Sequence, residues 1–377
     1  MNKRIIVAAV AALAMSAALV PASASLADAG HNPVIVPGTP QPRSTGGREV
    51  FQIDVDSAGT VFGAAVSSGL ISRIPATGAP TTLATNSLKT TLTSVIAQRN
   101  GVVYYTTTAA KTVASDRDPV VVMSVPATGG TPKLVADLGA WEKSHNPDAK
   151  NTYGYVGLPK DCSDQFLVHR EAVRHGSYFY NPSSMIATAS GLYITDAGRS
   201  SVLRVGYDGS ISLVAVLPPQ AQIVADIAVR FQYSAPNCAD GYKFIPEGAP
   251  TGITLAPDGN LYVTVIPANN PYLNDTFAGG LYRVNPTTGA TTRIIGKLFG
   301  PSGVSATPSG TLYISEIRGG AGGNPTGGGG GISVVRVNAQ VARPVINTDS
   351  PWTVKFVKDK LYVSGSSGLS VIPLTYK

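Results

Sequence analysis

The chain has 377 residues, of which 41 are glycine and 28 are proline, and charged residues make up only 14%. Its 29 Lys and Arg against 22 Asp and Glu give a formal net charge of +7, but the basic residues do not cluster. The sequence therefore argues against nucleic-acid binding, which needs a concentrated basic patch, while the glycine and proline content indicates a turn-rich β architecture.

The N-terminus has the pattern of an export signal. Two basic residues precede an apolar run over residues 5–20, and small residues follow at 22–24, as at a signal-peptidase site. The run is shorter than the roughly 18 to 20 residues that cross a membrane as a helix. We therefore expect residues 1–24 to be a signal peptide and residues 25–377 to be a secreted domain, extracellular or periplasmic, with no membrane embedding.

A short β-prone phrase containing an aromatic residue recurs along the rest of the chain. Its copies lie at 60–64, 102–106, 192–196, 261–264, 312–316 and 361–364. Each copy is the second of four short strands, and the Asp258-Gly259 turn before the fourth copy is a strong hairpin signal. Six units of four antiparallel strands predict an all-β fold, a single six-bladed β-propeller.

The last unit supplies only three strands, at 352–357, 360–363 and 368–372. One edge of its sheet would remain unpaired, and exposed edges invite aggregation. The β-prone residues 34–36 lie ahead of the first full unit. We predict that this N-terminal strand closes the ring.

Long insertions are restricted to two kinds of connection. Some join second to third strands, and the two longest, about 139–180 and 218–248, join a fourth strand to the next first strand. Both kinds of connection emerge on the same side of a propeller, which we call the long-loop face. Long ordered loops usually carry function, so we expect a ligand or partner on this face around the central channel.

Cys162 and Cys238 are the only cysteines, and each lies in one of the two longest insertions. An even number of cysteines in an exported chain predicts a disulfide.

Several stretches resemble the ScyD/ScyE family of secreted propellers. They are Trp141-Glu142 with His145 to Asp148, Tyr193 to Gly198, Cys238, and Pro250 to Gly252 with Pro257 to Val263. The resemblance covers nearly the whole mature chain. It implies a propeller fold and export, and no defined reaction.

Four polar residues are candidates for the ligand face. Asp196 and Glu316 end second strands, and Asn181 and Thr251 begin first strands at the channel mouth. Carboxylate and amide oxygens suit Ca²⁺, so calcium is a possible cofactor with Asp196, Glu316 and Asn181 as its candidate ligands. Alternatively, the two carboxylates cap loops or pair with nearby arginines.

Three histidines, His145, His169 and His175, fall in the first long insertion, but their spacing fits no zinc signature. The sequence also has no nucleophile elbow, Ser-His-Asp order or cofactor fingerprint. We therefore expect a monomeric, non-catalytic binding or scaffold protein whose partner is a small molecule or an extracellular protein, with no catalytic residues. The alternative is a Ca²⁺-dependent lactonase or esterase that acts at the channel mouth.

Overall fold

The computed structural model describes residues 35–65, 68–85, 95–108, 120–166, 172–176, 180–221, 223–225, 229, 235–267, 279–318, 329–336 and 338–376. The predicted signal peptide, His169 and most of three predicted loops (110–118, 267–279 and 318–331) lie outside these residues. Within the described ranges, no helix is long and apolar enough to cross a membrane.

Most strands form six antiparallel sheets, in each of which the strands that follow one another in the chain are neighbours. The N-terminal strands are β1 (Ile35–Pro37) and β2 (Gln41–Arg43). Blade 1 contains β3 (Gln52–Val55), β4 (Val61–Ala64), β5 (Leu70–Ile74) and β6 (Thr81–Thr85), and blade 2 contains β7 (Ile96–Arg99), β8 (Val102–Thr108), β9 (Val120–Pro126) and β10 (Lys133–Asp137). Between blades 2 and 3 lie helix α1 (Leu138–His145), β11 (Thr152–Val156), helix α2 (Lys160–Ser163) and β12 (Val173–His175).

Blade 3 contains β13 (Pro182–Thr188), β14 (Gly191–Asp196), β15 (Ser201–Val205) and β16 (Ile211–Val216), and it is followed by β17 (Ile223–Val224), a 3-10 turn (Asn237–Ala239) and β18 (Lys243–Ile245). Blade 4 contains β19 (Gly248–Leu255), β20 (Leu261–Pro267), β21 (Gly279–Val284) and β22 (Thr291–Leu298). Blade 5 contains β23 (Pro301–Ala306), β24 (Leu312–Glu316), β25 (Gly330–Val335) and β26 (Arg343–Thr348), and blade 6 contains β27 (Pro351–Val357), β28 (Lys360–Gly365) and β29 (Gly368–Tyr376).

The blades form a closed ring. Each first strand contacts the first strands of the two neighbouring blades, and β27 of blade 6 contacts β3 of blade 1. A hydrophobic cluster fills every space between adjacent blades. Between blades 3 and 4, for example, Val202 and Leu217 pack with Ile253 and Val263. The prediction of a six-bladed propeller is confirmed.

Blade 4 shows how the sequence forms these sheets. In β20, Leu261, Val263 and Val265 are fully buried, as expected for a strand whose sheet is covered by neighbours. The turn before β20 is fixed by Asp258, whose carboxylate accepts the N–H of Asn260 at 3.0 Å. Gly259 has φ +78°, a conformation that a side chain disfavours.

The N-terminal strands complete blade 6. β1 pairs antiparallel with β29 from Ile35 opposite Tyr376 to Pro37 opposite Leu374, and β2 continues along the same strand with Arg43 opposite Leu369. Arg43 also donates to the carbonyls of Gly59 and Ile74 in blade 1, at 2.8 and 2.9 Å. The predicted closing strand is confirmed at residues 35 and 36, residue 34 lies outside the described residues, and a second strand, β2, extends the pairing.

The two longest insertions join in a four-stranded accessory sheet, with the strand order β12-β11-β18-β17. Tyr155, Phe244 and Ile223 lie side by side in this sheet and pack in a separate core with Cys162. Cys162 and Cys238 form the predicted disulfide, with their Cα atoms 5.8 Å apart. The bridge therefore links the insertion before blade 3 to the insertion after it.

We predict that loss of this disulfide opens the accessory sheet without opening the ring. A disulfide stabilises mainly by limiting the freedom of the open chain, and this one joins the two insertions that form the sheet, so its loss favours the open state of the sheet. In a Cys162→Ser/Cys238→Ser double variant, hydrogen exchange of β11 and β18 should be at least tenfold faster, while β20 of blade 4 stays protected and serves as the internal control. Equal acceleration in β20, or none in β11, would contradict this prediction.

Candidate functional site

Asp196 is the most buried of the four candidate residues, with 1% of its surface exposed. It ends β14, and its carboxylate accepts N–H groups from Asn181, Gly198 and Arg199 at 2.7 to 3.1 Å. These bonds hold the turn after β14 against the start of β13. Burial raises the pKa of Asp196 to about 6, and the three N–H donors oppose the rise.

A second carboxyl group, Glu142 of helix α1, faces Asp196. Glu142 is fully buried, and neither of its side-chain oxygens has a hydrogen-bond partner. Burial, followed by the charge of Asp196, raises the pKa of Glu142 to about 10, although Arg199 opposes the rise. We therefore expect Glu142 to be protonated at neutral pH, beside the Asp196 carboxylate.

Arg199 and Asp148 complete a buried cluster that we call the carboxyl cluster (Glu142, Asp148, Asp196 and Arg199). The Arg199 guanidinium donates to the Asn146 side-chain oxygen at 2.6 Å and lies 3.8 Å from an Asp148 oxygen. The central carbon of the Arg199 guanidinium, Cζ, lies 5.2 Å from the centroid of the Tyr180 ring. The cluster attaches α1 and the loop after it to blade 3.

The accessory sheet is attached to blade 3 beside this cluster. Burial raises the pKa of Tyr153 in β11 to about 12, so its hydroxyl is protonated, and it donates to Ser200 at 3.2 Å and lies 3.4 Å from an Asp148 oxygen. The Asn151 side chain donates to the Leu217 carbonyl at 3.2 Å. The insertion is thus held to blade 3 by polar contacts.

Sequence reasoning missed Glu142 as a partner of Asp196. A signal was present, because Leu138 and Glu142 are four residues apart and share one face of α1, and both are buried. Asp137 caps this helix by accepting the Ala140 N–H at 2.9 Å, which fixes the start of α1 and thereby that face.

Glu316 occupies the position in blade 5 that Asp196 occupies in blade 3. Each carboxylate residue lies opposite the proline that begins its first strand, Pro301 or Pro182. Glu316 is 5% exposed, accepts the Phe299 N–H at 2.7 Å and accepts the Ser333 hydroxyl. Burial raises its pKa, and these two hydrogen bonds oppose the rise.

Asn181 immediately precedes β13, as the sequence predicts, whereas Thr251 is the fourth residue of β19 and does not begin it. The Asn181 side chain is exposed, and its N–H donates to Asp196. The Thr251 hydroxyl donates to the Pro301 carbonyl of the next blade at 2.6 Å. Thr251 therefore joins blades 4 and 5. It forms no hydrogen bond with Asp196.

A calcium ion would need free oxygen ligands, and both candidate carboxylates already accept N–H or O–H donors. The N–H and O–H donors stabilise the two carboxylates as anions and occupy positions that a cation would need. Binding of Ca²⁺ by Asp196, Glu316 and Asn181 therefore stays a prediction. In the described part of the chain, no three His, Cys, Asp or Glu residues are grouped so that they could hold a metal. His145 stacks on Trp141 with ring centroids 4.2 Å apart, and His175 pairs with Thr152 at 3.2 Å.

Solved structures of other propellers have a similar fold. The PQQ-bound form of aldose sugar dehydrogenase from Streptomyces coelicolor is 12% identical, covers 91% of this chain and 99% of its own, and gives a TM-score of 0.50. A putative gluconolactonase is 13% identical, covers 91% and 95%, and also gives 0.50. Virginiamycin B lyase from Staphylococcus aureus, solved with quinupristin, is 17% identical, covers 91% and 100%, and gives 0.49.

At these identities the comparisons show a shared β-propeller fold and nothing finer. No protein-family model matches the chain. No curated protein matches its sequence.

Proposed function

We propose that this chain is a secreted binding protein of the ScyD/ScyE type that holds a small molecule on the long-loop face. The supporting observation is the asymmetry between the two ends of the ring. The accessory sheet and α1 are built on the long-loop face, whereas the opposite face has short turns such as 189–190 and 358–359. The disulfide also supports export, because such bonds persist in oxidising compartments.

The buried carboxylates favour binding without catalysis. A catalytic acid or base must come within hydrogen-bond reach of its substrate. Asp196 and Glu316 are 1% and 5% exposed, and their oxygens hold their own loops in place. Glu142 is enclosed behind Asp196 in the same way. These groups therefore support the shape of the face and do not line it.

A Ca²⁺-dependent lactonase or esterase is the second candidate. It is favoured by the names of two proteins with a matching fold, an aldose sugar dehydrogenase and a putative gluconolactonase. Asp196 and Glu316 belong to blades 3 and 5, and each would have to exchange its N–H or O–H donors for a metal ion. We derive no reaction step through such an ion.

A calcium and turnover assay separates the two candidates. We expect 5 mM CaCl₂ to leave the melting temperature within about 1 °C, because the candidate oxygens are engaged, and we expect no hydrolysis of a panel of aldonolactones and p-nitrophenyl esters. EDTA-treated protein is the control. Calcium-dependent stabilisation together with turnover that is lost in Glu316→Gln would instead establish the enzyme.

A further inference from the structure

Two half-buried aromatic side chains meet where the ring closes on the long-loop face. Trp352 is the second residue of β27 in blade 6, and Phe51 immediately precedes β3 in blade 1. Their ring centroids are 5.0 Å apart, and the ring planes are tilted by 41°. The two rings therefore pack against each other at an angle and each residue stays partly exposed, at the same end of the first strands as Asn181 and Thr251.

Other blades place a small hydroxyl residue where blade 6 places Trp352. Ser183, Thr251 and Ser302 each follow a proline at a register shift between the first and second strands, as Trp352 does. Two of these hydroxyls join neighbouring blades, Thr251 to the Pro301 carbonyl and Ser302 to the Pro351 carbonyl, both at 2.6 Å.

In blade 6 that structural contact is made by the next residue. The Thr353 hydroxyl lies 3.3 Å from the Phe51 carbonyl and 3.0 Å from the Gln52 side-chain oxygen. The contact between blades 6 and 1 therefore does not need the Trp352 ring, which nevertheless keeps part of its apolar surface exposed to water.

Among the described residues, two observations concern the surroundings of this pair. The turn between β28 and β29 has only residues 366 and 367, and the accessory sheet is attached to blade 3, which lies across the ring from blade 6. The polar groups beside the pair are exposed: Ser366 donates to the Asp349 carbonyl at 3.3 Å, and the Asp349 side chain is exposed. Aromatic surface with a few polar groups at its edge is typical of a small-molecule site.

We propose that Phe51 and Trp352 form a stacking platform for a neutral sugar ring. The C–H face of a pyranose is apolar and packs on the electron-rich face of an aromatic ring, while its hydroxyls reach the carboxylate and hydroxyl of Asp349 and Ser366. This inference rests on the proposed binding function and specifies the chemical class of the ligand and where it binds.

The chain has only two tryptophans, which allows a localised test. The probes are methyl β-D-glucopyranoside and methyl β-D-galactopyranoside, titrated by calorimetry and by tryptophan fluorescence. In Trp141→Phe, which keeps only Trp352, we expect a saturable fluorescence change with the wild-type Kd. Trp352→Ala should raise the Kd at least tenfold, and Trp352→Phe should keep it within a few-fold of wild type.

The outcomes distinguish this proposal from the function on which it rests. The melting temperature of each variant shows that it is folded. Equal sugar affinity in wild type and folded Trp352→Ala overturns the platform and leaves small-molecule binding intact. No binding of either sugar overturns the ligand class, whereas no binding across a broad metabolite library overturns the proposed function itself.

Discussion

Deleting residues 25–43 should lower the melting temperature by on the order of 10 °C, a larger effect than we expect from any single substitution. The deletion removes β1 and β2, which pair with β29 along most of its length. Each lost backbone hydrogen bond contributes about 1 kcal/mol, so the free energy of unfolding falls by several kcal/mol, which corresponds to a shift of this size. Differential scanning calorimetry of the two proteins measures it.

A shorter deletion and a single substitution show which part of residues 25–43 stabilises the protein. A deletion of residues 25–34 ends before β1 and is the matched control, because it keeps β1, β2 and their pairing with β29. Arg43→Met keeps the strand pairing but removes the donor to the Gly59 and Ile74 carbonyls of blade 1, so it should lower the melting temperature by a few degrees. The closing role of the N-terminal strands is wrong if the deletion of 25–43 melts like wild type.

The truncated protein should also aggregate at lower concentration. β29 would become an edge strand nine residues long, from Gly368 to Tyr376, and unpaired edges recruit strands from other molecules. Light scattering at equal concentration checks this, with the deletion of 25–34 as the matched control.

The sequence was sufficient to predict features that depend on local repetition. The six second strands were recognisable because each carries its own turn and hydrophobic pattern, and the missing fourth strand of blade 6 followed from counting. The cysteines could be paired because there are only two. These inferences needed no knowledge of which distant residues meet.

The accessory sheet and the aromatic platform could not be predicted in this way. Strand β11 pairs with β18, and all of blade 3 lies between them in the chain. Strands of two to five residues, such as β17 and β11, carry too little pattern to reveal such a pairing. Phe51 and Trp352 come from opposite ends of the chain, and their contact exists only because the ring closes.

The second large effect that we expect is a dependence of stability on pH, and it arises from the carboxyl cluster. Glu142 has a folded-state pKa of about 10 against an ordinary value of 4.5, chiefly because it is buried and secondarily because it faces Asp196. A group whose pKa is raised on folding stabilises the protein fully below its unfolded pKa, and this stability is lost as the pH rises towards the folded pKa. Burial also raises the pKa of Asp196, from 3.8 to about 6, so this residue lowers the stability as the pH rises over that lower range.

We therefore expect Glu142→Gln to be more stable than wild type at pH 8 and similar to it at pH 4.5. A glutamine is always neutral, so the substitution removes the cost of burying a second negative charge beside Asp196. Wild type should lose roughly 1 kcal/mol of unfolding free energy per pH unit through this one proton, so the variant gains a few kcal/mol by pH 8. Urea denaturation at half-unit steps from pH 4.5 to 8 measures the two curves.

Glu142→Ala separates the titration of Glu142 from its packing. It removes the same titration, but it leaves a cavity beside Leu138, so it should be less stable than Glu142→Gln at every pH. Its dependence on pH should be as shallow as that of the glutamine variant, because neither side chain titrates. Arg199 and Asp148, the other charges that face Glu142, are unchanged in both variants. If Glu142→Gln follows the wild-type curve from pH 5 to 8, folding does not raise the pKa of Glu142.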